Sequence, residues 1–175
     1  KISDLNIPCY VVPIKPKWAQ ELFDTREADS LLFGVDITRL WNVENVYYRS
    51  ARTLTERVPA RILWYVSADN HYSRNKGVVA TSYLDEVVTG LPKDLYRKFK
   101  HYGIYEWDDV YKLCGRDVYK PIRAIRFSHT EVFNSIVPYN ELLKIIGKKN
   151  TFQSPVEVSE VVFNEVYKLK DVKRL

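Results

Sequence analysis

The sequence has no methionine, two cysteines and three histidines among 175 residues, and each scarcity closes off a class of function. Cys9 and Cys114 stand far apart in no paired spacing, which argues against a disulfide framework and predicts two reduced, buried thiols. His71, His101 and His129 are isolated, with no His-x-x-x-His or Cys-x-x-Cys pairing, so no zinc site is expected. The six glycines never gather into a phosphate-cradling loop, and there is no Gly-x-Ser-x-Gly elbow; no nucleophile motif and no cofactor is expected. No stretch approaches the roughly 20 apolar residues needed to cross a bilayer, and no charged-then-apolar leader opens the chain. The protein therefore reads as soluble and cytoplasmic. The chain starts at Lys1 without any Met, as expected of a piece of a longer protein.

What is present is material for a core and a modest basic excess. With 46% hydrophobic residues, a single domain over 1–175 is expected. The 27 Lys and Arg against 22 Asp and Glu leave a net charge of +5, compatible with an anionic partner but far short of a polybasic tail. Asp85-Glu86 and Asp108-Asp109 are adjacent acids. Sequence neighbours on a helix or strand point to different sides, so these read as solvated or capping charges.

The strongest local signal is Arg61 to Ser67, an unbroken β-branched and aromatic run, followed after a polar turn by Lys76 to Thr81 with Gly77 near its start. These suit two neighbouring strands. Other strands are expected at Ile7 to Ile14, at Val46-Tyr47-Tyr48-Arg49, and at Ile122 to Ser128. In the last of these, apolar residues alternate with Arg123 and Arg126, as if one side faced a core and the other water. The Gly77 strand is expected to run to Val88.

Helices are expected after Lys15-Pro16, with Trp18 and Leu22 on the sheet-facing side, and after Leu91-Pro92, with Leu95 and Phe99 inward. A third covers Glu106 to Leu113, where Trp107, Val110 and Tyr111 are read as core. Tyr139 to Ile146 is closed by Gly147, and Ser159 caps a last helix with a stripe of Val162, Phe163, Val166 and Leu169. A short helical turn is expected at Ala28 to Phe33 and a charged loop at Arg52 to Arg57. This order is not the regular alternation of a doubly wound fold. It predicts an α+β protein, a small mixed or antiparallel β pseudo-barrel covered by helices.

Six segments together resemble the PUA-like superfamily, nearest to its ASCH and EVE branches. They are Val12-Pro13-Ile14-Lys15-Pro16-Lys17-Trp18-Ala19, Val46-Tyr47-Tyr48-Arg49, Ile62-Leu63-Trp64-Tyr65, Lys76-Gly77-Val78-Val79-Ala80-Thr81, Phe127-Ser128-His129-Thr130-Glu131-Val132-Phe133 and Gln153-Ser154-Pro155. The resemblance covers most of the chain. It is nearest to PUA-like domains fused to acetyltransferase-like or helix-turn-helix segments. It implies a nucleic-acid-binding module, with RNA or a modified or flipped base held in a cleft of the barrel. A flipped base gains stacking on aromatic faces, hydrogen bonds along its edge and cationic contacts to its phosphates.

In those terms Lys15, Arg49 and Arg126 are candidate phosphate contacts, and Ser67, Thr81, Ser128, Thr130 and Gln153 candidate edge readers. Trp64 and Tyr65 are successive strand residues with opposite directions, so one ring is assigned to the core and the other to the cleft. The same holds for Tyr47 and Tyr48, with Tyr48 a candidate contact.

ASCH members that hydrolyse modified nucleosides share a Gly-x-Lys-x-x-Glu-x-Arg-like stretch after the first helix. Here the matching region reads Phe23-Asp24-Thr25-Arg26-Glu27-Ala28, with Thr25 but no lysine just before it. An amidohydrolase or ribonuclease is therefore the alternative reading, with no catalytic residue assigned. A third reading is a protein-interaction domain of a fused acetyltransferase, in which four tryptophans and thirteen tyrosines form a partner surface.

Overall fold

A computed structural model describes residues 7–23, 43–51, 56–67 and 76–172. Its strands are β1 (Cys9–Ile14), β2 (Glu44–Ser50), β3 (Ala60–Val66), β4 (Gly77–Gly90), β5 (Ile122–Pro138) and β6 (Val156–Val158). They form one sheet in the order β2-β5-β4-β3-β1-β6. β1 runs parallel to β3 and antiparallel to β6, and β2 runs antiparallel to β5, so the sheet is mixed. The helices among the described residues are α1 (Pro16–Phe23), α2 (Pro92–Phe99), α3 (Trp107–Leu113), α4 (Tyr139–Ile146) and α5 (Glu160–Lys168).

The α+β class and mixed sheet are those expected. The closure is not made by hydrogen bonds, because β2 and β6 end the strand order and do not pair with each other. No described helix is long and apolar enough to cross a membrane.

Contacts divide the chain into two compact units, neither continuous in sequence. The first comprises Lys1–Asp24, Pro59–Tyr83 and Thr130–Leu175, and the second Thr25–Val58 and Leu84–His129.

The first unit is built around β3, in which every residue from Ala60 to Val66 is buried. The apolar run Ile62 to Val66 is what a strand with both faces covered requires, and Arg61 is its one charged residue. Trp64 lies 5.7 Å from the Phe23 ring at the end of α1, while Tyr65 meets Phe152 at 4.8 Å and Tyr139 at 6.2 Å. Gly77 permits a close approach, since a Cβ there would stand 2.3 Å from the Val137 carbonyl oxygen. α1 buries Pro16, Ala19 and Phe23, not the expected Trp18 and Leu22, which are only half-buried. The inward face is therefore offset from the one chosen by the single Trp18/Leu22 pair. α4 ends at Gly147 with φ 73°, and the Ser159 hydroxyl accepts from the Val162 amide to cap α5, both as expected. The short strand β6 was not anticipated.

In the second unit β2 and β5 pair with Tyr48 opposite Ala124, and Tyr47 and Tyr48 both pack on Tyr105. α2 buries Pro92, Leu95 and Phe99, the face its spacing predicts. α3 buries Val110; Trp107 and Tyr111, expected in the core, are half-buried. Arg123 does not face water. It is buried, with Nη1 3.0 Å from a Glu56 carboxylate oxygen and Nε donating to the Thr89 hydroxyl. β5 continues past Ser128 to Pro138 through His129, whose φ is 50°. Such a left-handed residue breaks the two-residue alternation that marks a strand in sequence.

Both cysteines are free and buried, and burial pushes the Cys9 thiol up against the opposing effect of Arg61. The turn expected at Ala28 to Phe33, His71, Thr25 and most of the loop at Arg52 to Arg57 lie outside the described residues.

Candidate nucleic-acid interface

Within the first unit, the sequence candidates fall into two groups. At the C-terminal ends of the parallel strands β1 and β3, Ile14 is in register with Val66, and the Ser67 amide donates to the Ile14 carbonyl. Lys15 and Ser67 are thereby brought to the same end of the strand pair. Lys15 is exposed and Ser67 half-buried. Gln153 is also exposed, in a bend beside Phe152, whose φ of 48° is locked by its amide donating to the Asn150 side chain.

The second group is a polar chain inside the sheet. The Trp64 indole N–H donates to the Ser82 hydroxyl at 2.8 Å, and Ser82 lies 2.8 Å from the Thr130 hydroxyl. An indole nitrogen only donates, so Ser82 accepts from it, and in the Ser82–Thr130 pair either hydroxyl can be the donor. Thr130 is half-buried. Its outer side then donates when Ser82 gives its proton to Thr130, and accepts when Thr130 gives its own to Ser82. The arrangement suits reading the edge of a ligand. Thr81 is not free for that role, because it is buried and its hydroxyl donates to the Ile62 carbonyl at 2.7 Å.

The rings assigned to stacking require correction. Trp64 is 0% and Tyr65 2% exposed. They do point to opposite faces, but both faces of β3 are covered, so neither offers a bare ring. Burial, and secondarily Tyr139, pushes the Tyr65 hydroxyl up to about 12.

In the second unit, Tyr48 is buried and its hydroxyl donates to the Leu95 carbonyl at 3.5 Å. Arg49, expected at a phosphate, is buried and lies opposite Arg123 in the β2–β5 register. Arg126 is partly exposed but bound to two carboxylates, Glu44 at 3.1 Å and Glu86 at 3.3 Å. Burial opposes its charge, but those bonds and the nearby Asp85 outweigh burial and raise its pKa. Glu86 is held below the usual carboxylate range chiefly by its bond from Lys98, and then by Arg126. Arg126 is thus a compensated cation, less ready to meet a phosphate than an unpaired one. Ser128 is buried, with its hydroxyl 3.0 Å from His129 Nδ1. His129 itself is exposed, and its amide donates to the Val43 carbonyl.

Sequence reasoning missed Ser82, whose role depends on a strand pairing that no motif announces. It also missed Glu44 and Glu86, the acids that neutralise Arg126.

No protein-family model matches the sequence, and no curated protein matches it. Solved structures do. A single-residue variant of an ASCH protein from Zymomonas mobilis superposes with a TM-score of 0.68 at 14% identity, covering 92% of this chain and 97% of that one. A crystal structure described simply as ASCH from the same organism gives 0.66 at 15% identity, over 92% and 94%. The fold is that of an ASCH domain. The N-terminal domain of Staphylothermus marinus McrB is a more distant likeness, with a TM-score of 0.51 at 13% identity over 91% of this chain and 93% of that one. The ASCH fold accounts for the segment order quoted from the sequence. At these identities it carries no residue roles across.

Proposed function

We propose that this ASCH-fold chain is a nucleic-acid-binding module that takes an RNA strand or a modified or flipped base. The observation that carries the reading is the polar chain from Trp64 through Ser82 to the half-exposed Thr130 hydroxyl, inside an ASCH fold. A buried hydroxyl chain whose outer end is partly solvated can exchange water for a ligand, and base edges supply the complementary donors and acceptors. Lys15, exposed beside Ser67, supplies charge at the strand ends. A net charge of +5 limits the electrostatic footprint, so selectivity comes from hydrogen bonds more than from phosphates. In this reading the module works in the cytoplasm and positions a fused or associated catalytic segment on its strand.

The test is a binding series with single-stranded RNA and DNA oligonucleotides carrying unmodified or methylated bases, using wild type and Thr130→Val. Wild type should bind, and the near-isosteric loss of the Thr130 hydroxyl should narrow the preference among bases by about tenfold, the size of one hydrogen bond left unpaired. Absence of binding by the wild-type chain to every strand at low salt would refute the proposal. Turnover of a modified nucleoside would replace it with the hydrolase reading.

A further inference from the structure

α2 carries a second chemistry on its outer side. Lys93, Tyr96 and Arg97 of α2 and Lys100, the residue just past its end, at i, i+3, i+4 and i+7, line one groove together with Trp107 at the start of α3. The groove has a volume of about 320 Å³, within the range of small-ligand sites. Tyr96 and Trp107 stand 5.6 Å apart, tilted by 59°, and Tyr111 stacks on Trp107 at 6.0 Å. Both Tyr96 and Trp107 are half-buried, while the three cations are exposed.

Among the described residues no carboxylate pairs with Lys93, Arg97 or Lys100. Asp94, three residues before Arg97, does not pair with it, and the neighbouring Lys98 is the one bound to an acid, Glu86. Like charges at i, i+4 and i, i+3 weaken a helix, and Lys93 sits in the first turn, where the helix dipole also opposes a cation. Arg97 and Lys100, at the C-terminal end of α2, are favoured by the dipole, but the three cations repel one another. An anion in the groove would offset that repulsion with attraction to all three. The two rings narrow the choice of anion, since a stacked base needs a π-face beside its phosphate. A single strand offers such faces along its length, and a duplex hides them. The helical rise places Lys93 and Lys100 about 10 Å apart along the axis, a span for two or three phosphates.

We propose that this groove is a strand-holding site, separate from the hydroxyl chain, that binds two or three phosphates of single-stranded nucleic acid and stacks one base against Trp107. It rests on the nucleic-acid reading above and extends it to a site that selects strandedness, not base identity.

The test uses the full chain, a fluorescein-labelled RNA dodecamer as a single strand and as a duplex, and a glutamate-rich peptide of matched charge as competitor. The variants are Lys93→Ala/Arg97→Ala/Lys100→Ala and Trp107→Leu, with helicity checked by circular dichroism. In the triple variant, affinity for the single strand should fall about tenfold or more, and the slope of log K against log salt should flatten by about 1.4–2.1. Trp107→Leu should weaken the single strand about 5- to 100-fold and leave the slope unchanged. The duplex should bind more weakly than the single strand and be indifferent to Trp107→Leu. A folded triple variant with wild-type affinity and slope would overturn the groove and leave the nucleic-acid reading standing. Competition by the peptide as strong as by unlabelled RNA would overturn it too, in favour of an acidic protein partner. If the wild-type chain bound no strand at all, both readings would fall together.

Discussion

Two regions of this molecule use the same side chains to opposite ends. On β3, Trp64 and Tyr65 are sealed between aromatic neighbours, and the arginine of that strand, Arg61, is fully buried against Phe163 with Glu160 at 3.3 Å. Across α2 and α3, Tyr96 and Trp107 remain half in solvent beside three cations that no acid among the described residues neutralises. β3 lies in mid-sheet with both its faces covered. A surface helix has one covered face and one bare, so aromatics placed off its buried stripe stay available. Whether a ring stabilises the fold or meets a ligand therefore follows from what covers it, not from its being aromatic.

The largest expected effect separates the two regions by stability. Trp64→Ala should cost about 3–5 kcal/mol in urea unfolding, as a large buried ring replaced by a cavity does, whereas Trp107→Ala should cost only about 0.5–1.5 kcal/mol, the worth of its ring contacts. Equal losses at both positions would erase the distinction.

Alkali should reach the buried region next. The Tyr65 hydroxyl has a folded pKa of about 12 against an ordinary value near 10; because the folded value is the higher one, its contribution is complete below pH 10 and is lost as pH rises toward 12. The loss should amount to about 2–3 kcal/mol. Tyr48 is shifted upward by burial in the same sense. Unfolding free energies at pH 8, 10 and 11 should therefore change little between the first two and fall between the last two in wild type, and less steeply in Tyr65→Phe.

Within the buried region, the hydroxyl chain should prove structural as well as outward-looking. Ser82→Ala removes the acceptor of the Trp64 indole N–H and should destabilise by about 1–3 kcal/mol. Trp64→Phe in the same background should restore part of that loss, because the stranded donor is gone.

The smallest effect has the opposite sign. Lys93→Glu exchanges a like-charge i, i+4 pair with Arg97 for an opposite-charge one in the first turn of α2, and should stabilise the protein by about 0.5 kcal/mol at low salt. The same substitution should weaken strand binding. A variant that is less stable as well as weaker in binding would return Lys93 to the fold.

The sequence by itself determined the strand at Ala60 to Val66, its neighbour from Gly77, the capped or Gly-ended helices, the two isolated thiols and the segment order of an ASCH fold. These follow from local causes: an unbroken apolar run, a missing Cβ, an N-cap hydroxyl and the spacing of inward residues along a helix. Tertiary structure decided the rest, because burial and pairing depend on elements distant in the chain. It buried both rings of Trp64-Tyr65 where alternation allowed one to be free, since alternation fixes direction but not what lies opposite. It enclosed Arg49 and Arg123 and bound Arg126 to Glu44 and Glu86, although an isolated arginine in a strand reads as a solvent-facing charge. It left Trp107 beside Lys93, Arg97 and Lys100, a juxtaposition of two helices for which neither helix alone carries a signal.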